Sequence, residues 1–192
     1  DVEPLFEARR RFNSDAKARI AAAAAKLVAQ DQTLAFDLGT TVLAGARALI
    51  SSDPIPGLRI FTNSLRVAQL TAAASVQTYV PGGRIQSGEM SVTGQGAVED
   101  FSRYYFDSAL IGASGLTPDG LFDYSPEEAA MKTVYIQRAS RRILLIDSSK
   151  FRRISTVRVA DLARVSVMIT DAAPPPDLAH ALEEANVSIL IA

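Results

Sequence analysis

Short apolar runs alternate with longer amphipathic stretches along the 192 residues of this chain. Leu34-Ala35-Phe36, Leu58 to Thr62, Ser75 to Val80, Tyr105 to Ile111, Arg142 to Asp147, Arg164 to Thr170 and Val187 to Ile191 are short and mostly rich in Val, Ile and Leu. Gly, Pro, Asn, Asp or Ser bounds each of them, which predicts strands. Helical segments fill the gaps. Ser14 caps a helix to about Gln30, with Ile20, Leu27 and Val28 on one face and a helix-favouring alanine run at 21–25. Further helices are predicted over Thr40 to Ile50, from an Asn63-Ser64 cap to Ala73, over Ser91 to Phe101, from Ser125 to Ala139, and from Pro174 to Ala185. Ser125-Pro126-Glu127-Glu128 is the clearest start: a hydroxyl cap, Pro at the first position and acids in the first turn. Residues 51–57 and Leu116 to Tyr124 read as loops. Strands that are apolar on both faces suit a parallel sheet covered by helices on both sides. The pattern therefore predicts one three-layer α/β/α domain with a mostly parallel sheet over residues 14–192, with no internal repeat.

Composition removes several classes of function. The net charge is −1, so no basic footprint for nucleic acid is present. There is no Cys, hence no disulfide, thiolate metal site or Cys nucleophile. A single histidine, His180, excludes a multi-His metal site within one chain and reads as an incidental helix residue. No cofactor is expected. No apolar run reaches membrane-spanning length and the charged start has no signal-peptide core, so a cytoplasmic protein without membrane contact is expected. Residues 1–13, with Arg9-Arg10-Arg11, read as an irregular solvated linker; contact of the Arg triplet with nucleic acid is the alternative.

Candidate chemistry collects where the strands end. In open parallel sheets ligands bind outside the carboxyl ends of the strands. Five polar or glycine-rich turns fall there: Asp37-Leu38-Gly39-Thr40-Thr41, Thr62-Asn63-Ser64, Pro81-Gly82-Gly83-Arg84, Gly112-Ala113-Ser114-Gly115 and Asp147-Ser148-Ser149-Lys150. The first is the most suggestive. Free N–H groups at a helix start carry the positive end of the helix dipole and accept an anion. Thr40 and Thr41 add hydroxyl donors. Gly39 lets the backbone turn sharply, and Asp37 can accept from ligand hydroxyls. That combination suits a phosphorylated polyol. A strand ending in Asp-x-Gly with a Thr cap on the next helix is the purely structural alternative.

Taken in order, Asp-x-Gly-Thr-Thr at 37–41, Thr-Asn-Ser at 62–64, Gly-Gly-Arg at 82–84, Gly-Ala-x-Gly-Leu at 112–116, Glu-Glu-Ala-x-x-Lys at 127–132 and Asp-Ser-Ser-Lys-Phe at 147–151 resemble one family. It is the C-terminal sensor domain of DeoR-family transcriptional regulators, and the resemblance runs from about Ser14 to the end. It implies a fold similar to pentose-phosphate isomerases and a phosphorylated sugar or related metabolite as effector. It also implies a homo-oligomer, dimer or tetramer, and DNA contact only through an N-terminal winged helix-turn-helix, for which residues 1–13 would be the linker. By the same resemblance Gly39, Thr40 and Thr41 would hold the phosphate, while Asp37 and Asn63 would read hydroxyls or order the loop. Gly82, Gly83 and Arg84 would form a facing wall, Lys132 and Lys150 would supply cationic ends, and Ser64 and Gly112 would complete the site. Without the family, Lys132 reads as an i,i+4 partner of Glu128, and Lys150 and Arg84 as surface charges. The alternative function is a sugar-phosphate isomerase. In those enzymes the turn after the central strand carries Asp residues, and Gly112-Ala113-Ser114-Gly115 has none. Glu127, Glu128, Asp119 and Asp123 remain as carboxylates able to act as bases. Sensing without turnover is the expectation.

Overall fold

In the computed structural model, which describes residues 3–51 and 53–192, the alternation of runs becomes an alternation of strands and helices. Asp1 and Val2 of the expected linker, and Ser52 of the expected loop at 51–57, lie outside the described residues. Helices α1 (Phe6–Arg11) and α2 (Ser14–Ala25) precede β1 (Thr33–Phe36), followed by α3 (Thr40–Ser51), β2 (Arg59–Thr62), α4 (Leu65–Ala73) and β3 (Gln77–Tyr79). A hairpin of β4 (Arg84–Gln86) and β5 (Ser91–Thr93) leads into α5 (Gln95–Phe101) and β6 (Phe106–Ile111). A second hairpin, β7 (Gly115–Thr117) and β8 (Gly120–Asp123), leads into α6 (Pro126–Arg138) and β9 (Ala139–Leu145). The chain closes with β10 (Val157–Ala160), β11 (Val167–Thr170), α7 (Pro176–Glu184) and β12 (Ser188–Ile191).

Seven strands form one sheet in the order β12-β11-β9-β6-β1-β2-β3, and every pairing in it is parallel. Alternation along each strand sends its side chains to two separate cores. Leu34, Phe36, Ile60, Ile143 and Leu145 pack with Phe6 of α1, Ile20 of α2, Val42 and Ala46 of α3 and Val67 of α4. Ala35, Phe61, Leu144 and Met168 face the other way, against Phe101 of α5, Met131 and Tyr135 of α6 and Leu178 of α7. Phe61 sits in a ring cluster, stacked on Tyr79 at 4.5 Å and edge-on to Phe101 at 5.6 Å. This is the expected three-layer arrangement around a parallel sheet.

Three local expectations are corrected. The helix expected over Ser91 to Phe101 starts only at Gln95, because Ser91–Thr93 are buried as β5 and the Val92 N–H donates to the Asn63 carbonyl at 2.7 Å. Gly94, at φ 109°, turns the strand into the helix. The loop expected over Leu116 to Tyr124 is a hairpin whose Leu116 and Leu121 are fully buried. Thr117-Pro118-Asp119-Gly120 is its turn, and β10 adds a third strand to it. Residues 6–11 of the expected irregular, solvated segment form a helix, because Phe6 is buried in the core and holds the segment down.

Candidate functional site

Strand β1 is the switch point of the sheet. From it the chain builds outward through β2 and β3 on one side and through β6, β9, β11 and β12 on the other. Loops leaving β1 and β6 diverge there, and a crevice opens at their carboxyl ends. A cavity of about 350 Å³ occupies this crevice, a volume suited to a small metabolite. Leu38 to Val42 line it after β1, Gly112 to Ser114 after β6, and Leu145 to Asp147 with Lys150 after β9. Asp123, Tyr124, Glu128 and Lys132 close one side.

Helix α3 points its N-terminus into this space. Gly39, at φ 107°, makes the turn that aims it, a conformation costly for any residue with a Cβ. The Gly39 carbonyl receives the first helical bond, from Leu43, which leaves the preceding N–H groups without intrahelical partners. Thr40 and Thr41 flank them, each 9% exposed. Their donors and the helix dipole favour an anion.

Beneath that floor lies a buried charge cluster. The Lys132 ammonium, 2% exposed, contacts an Asp37 carboxylate oxygen, the Gly112 carbonyl and, at 3.1 Å, Asp123 Oδ2. Burial alone would lower its pKa, but the facing carboxylates of Asp37 and Asp123 outweigh burial and hold the ammonium charged well above its usual range. The same Asp37 oxygen accepts the Gly112 N–H at 3.1 Å. Lys132 and Asp37 thus tie the ends of β1, β6 and β8 to α6, and the i,i+4 reading of Lys132 with Glu128 gives way to this cluster.

Two other ammonium groups on the wall are not neutralised. Lys17, 5% exposed, donates to the Arg9 carbonyl, and Lys150 is half-buried. Among the described residues neither has a carboxylate within ion-pair distance. Burial lowers the Lys17 pKa to about 8 and lowers that of Lys150, only partly offset in each by Asp147. Asp147 is itself 1% exposed. Burial pushes its carboxyl up, but bonds from Ser149 and Asn13 outweigh this and keep it ionised. Opposite stands Glu128, 4% exposed. Burial first, then Asp123, Glu89 and Glu3, push its carboxyl to about 8. A protonated carboxyl is both donor and acceptor, so this wall can read a hydroxyl.

The sequence-derived residues separate into three groups. Gly39, Thr40, Thr41, Gly112, Lys132 and Lys150 come together on the cavity wall. Asp37 is fully buried and not on the cavity wall, and it accepts the Gly112 N–H of the wall. Asn63, Ser64, Gly82, Gly83 and Arg84 do not line the cavity. Asn63 exchanges bonds with the Tyr135 hydroxyl at 2.7 and 3.0 Å, and Ser64 Oγ caps α4 by accepting from the Val67 N–H at 3.2 Å. The turn at 82–84 follows β3, which stands two strands from β1 at the far edge of the sheet, about 10 Å away. Arg84 is exposed there, and Gly83 packs tightly under the Thr93 carbonyl. Sequence reasoning did not find Lys17, Arg9 or Asp147 as wall residues. Of these only Asp147 carried a signal, as the strand-end residue before Ser148-Ser149-Lys150. His180 is exposed and 3.4 Å from Glu184 on α7, apart from the cavity wall.

The family described as the DeoR C terminal sensor domain matches residues 12–172. The glycerol-3-phosphate regulon repressor of Escherichia coli K12 is 30% identical over 190 residues, covering 98% of this chain and 74% of that protein. The HTH-type transcriptional repressor GlcR of Bacillus subtilis is 29% identical, covering 97% of this chain and 71% of that protein. Among solved structures, ribose 5-phosphate isomerase A of Methanocaldococcus jannaschii superposes with a TM-score of 0.53 at 20% identity, over 72% of this chain and 55% of that one. The eIF2B beta chain of Chaetomium thermophilum gives 0.59 at 16% identity, over 90% of this chain and 53% of that one. This chain spans little more than half the length of those two chains, and the likeness to them is one of fold.

Proposed function

We propose, from the premise that this chain belongs to the DeoR C terminal sensor domain family, that its cavity takes a phosphorylated sugar or a close phosphorylated metabolite as effector. Its relatives are transcriptional repressors rather than enzymes, and one is named for the glycerol-3-phosphate regulon. The observation that carries the reading is the pair of ammonium groups, Lys17 buried and Lys150 half-buried, on the cavity wall with the N-terminus of α3 and with no carboxylate within ion-pair distance among the described residues. A dianionic phosphate neutralises both and accepts from the α3 N–H groups and from Thr40 and Thr41. Glu128, Asp123 and Tyr124 are left to the hydroxyl end of the ligand. Asn63, Ser64, Gly82, Gly83 and Arg84 belong to the frame of the domain in this reading.

The wider reading is a cytoplasmic repressor of sugar metabolism. This domain supplies the homo-oligomeric contacts, and a winged helix-turn-helix ahead of it meets DNA. A thermal-shift screen over glycerol 3-phosphate and a panel of pentose and hexose phosphates tests the effector site. A ligand at 100 times its dissociation constant adds about 2.7 kcal/mol of stability. Thr40→Asp should abolish that gain and leave the unliganded melting temperature within a few degrees. No gain from any panel member, or an equal gain in Thr40→Asp, overturns the phosphate seat.

A further inference from the structure

The N-terminal segment is a wall of the cavity. Glu3, Pro4, Ala8, Arg9 and Phe12 face the same space as Gly39 and Lys150. Three kinds of contact fasten it. Phe6 is buried with Ile20 and Val67, and the Arg66 guanidinium lies 3.8 Å from its ring centre. Arg9 pairs with Glu89 and, at 2.7 Å, with Glu3. Asn13 donates to Asp147 Oδ1 at 2.9 Å, and Lys17 at the start of α2 donates to the Arg9 carbonyl. Only the first of these is apolar. Each of the others involves at least one residue of the cavity wall, Arg9, Glu3, Lys17 or Asp147, so what enters the cavity bears on them.

The charges there are arranged for an anion. Arg9 and Lys17 come from the segment and the helix after it, and Lys150 and Arg153 from the chain after β9. Beyond burial, and against the pull of Asp147, Lys150 and Arg9 lower the proton affinity of Lys17, and Arg153 and Arg9 lower that of Lys150, which is repulsion between cations across the cavity. A phosphate between them turns repulsion into two-sided attraction, since its oxygens accept from several donors at once.

We propose that Arg9 and Lys17 contact the effector, and that an anion bridging them to Lys150 and the N-terminus of α3 docks residues 3–13 onto the domain. The inference rests on the phosphate-seat reading above and adds the segment to it. The stretch of chain that leads away on the N-terminal side is then part of the binding site. Occupancy is reported at that stretch by differential affinity for its docked and undocked states, without a relay through the core.

Hydrogen exchange and titration calorimetry on the whole 192-residue chain test it, with inorganic phosphate and glycerol 3-phosphate as probes against sodium chloride of equal ionic strength. Expected are slower exchange over residues 6–12 with phosphate, at least tenfold weaker binding in Lys17→Gln and Arg9→Gln, and recovery in Lys17→Arg. Arg10→Gln, an exposed neighbour paired with Glu7, should bind as the unsubstituted chain does. Melting curves check that each variant folds. Where Lys17→Gln does not, Arg9→Gln and the exchange of the unsubstituted chain decide. Binding within twofold in both Gln variants, with exchange over 6–12 unchanged and Thr40→Asp inactive, overturns this inference and leaves the phosphate seat standing. Absence of binding by both probes to the unsubstituted chain overturns both.

Discussion

Glu128→Gln exchanges a buried carboxyl for a neutral group of the same shape. Glu128 is 4% exposed on α6, and burial, Asp123, Glu89, Glu3 and Asp37 push its carboxyl from 4.5 to about 8. The folded-state value lies above the unfolded one. The stability this group contributes is therefore complete below pH 4.5 and is lost as pH rises through 8. Each pH unit in that window costs up to about 1.4 kcal/mol, so the ceiling is about 5 kcal/mol. Neighbouring acids titrate over part of the same range and water reaches the open cavity, which brings the working figure to about 2–3 kcal/mol. The assay is urea denaturation of both proteins from pH 4.5 to pH 9. The two stability curves should meet near pH 4.5 and diverge as pH rises, with Glu128→Gln more stable above pH 8. A difference constant over the whole range, or an unsubstituted protein that is the more stable at pH 8, refutes the reasoning.

Other perturbations follow from the same geometry. Lys132→Met leaves Asp37 and Asp123 without an ion-pair partner among the described residues and should cost about 3–5 kcal/mol in chemical denaturation. Adding Asp37→Asn to that variant should recover part of the loss. Tyr135→Phe removes the hydroxyl that serves both the Asn63 N–H and its side-chain oxygen in a fully buried site. It should cost about 1–3 kcal/mol and lower the melting temperature without weakening phosphate binding.

The strand runs and most helices were legible because a two-sided parallel sheet writes continuous apolar runs, and because Ser64 and Ser125 announce helix starts by capping. The hairpin of β7 and β8 was hidden, since Pro118-Asp119-Gly120 reads as loop chemistry. Only the packing of Leu116 and Leu121 against the rest of the molecule makes strands of its flanks. The cavity was legible in part. Gly39, Thr40 and Thr41 sit where the turn pattern implied, but strand-end position alone could not separate the turn at 82–84 from them. That separation depends on sheet order, which puts β3 at the edge and β6 beside β1. Lys132 looked like a surface helix lysine with an i,i+4 partner. Its true partners, Asp37 and Asp123, come from distant chain segments. Lys17 had no local signal at all, since a lysine in an alanine-rich helix is an ordinary solubilising residue until the segment carrying Arg9 packs over it and its carbonyl accepts the ammonium.

The central position of β1 has a consequence for biosynthesis. Leu34 leaves the ribosome 74 residues ahead of Ser108, its register partner on β6. At about 5–20 residues per second the first strand waits about 4–15 s with one edge unpaired. During that interval α2 and α3 can already cover one of its faces, since they pack directly on each other. Ala35 on the opposite face waits for α5 and α6. Cavity residues from Glu3 to Arg153 meet only once most of the domain has emerged. A nascent chain therefore offers no assembled cavity, and a ligand of that cavity meets only the finished domain.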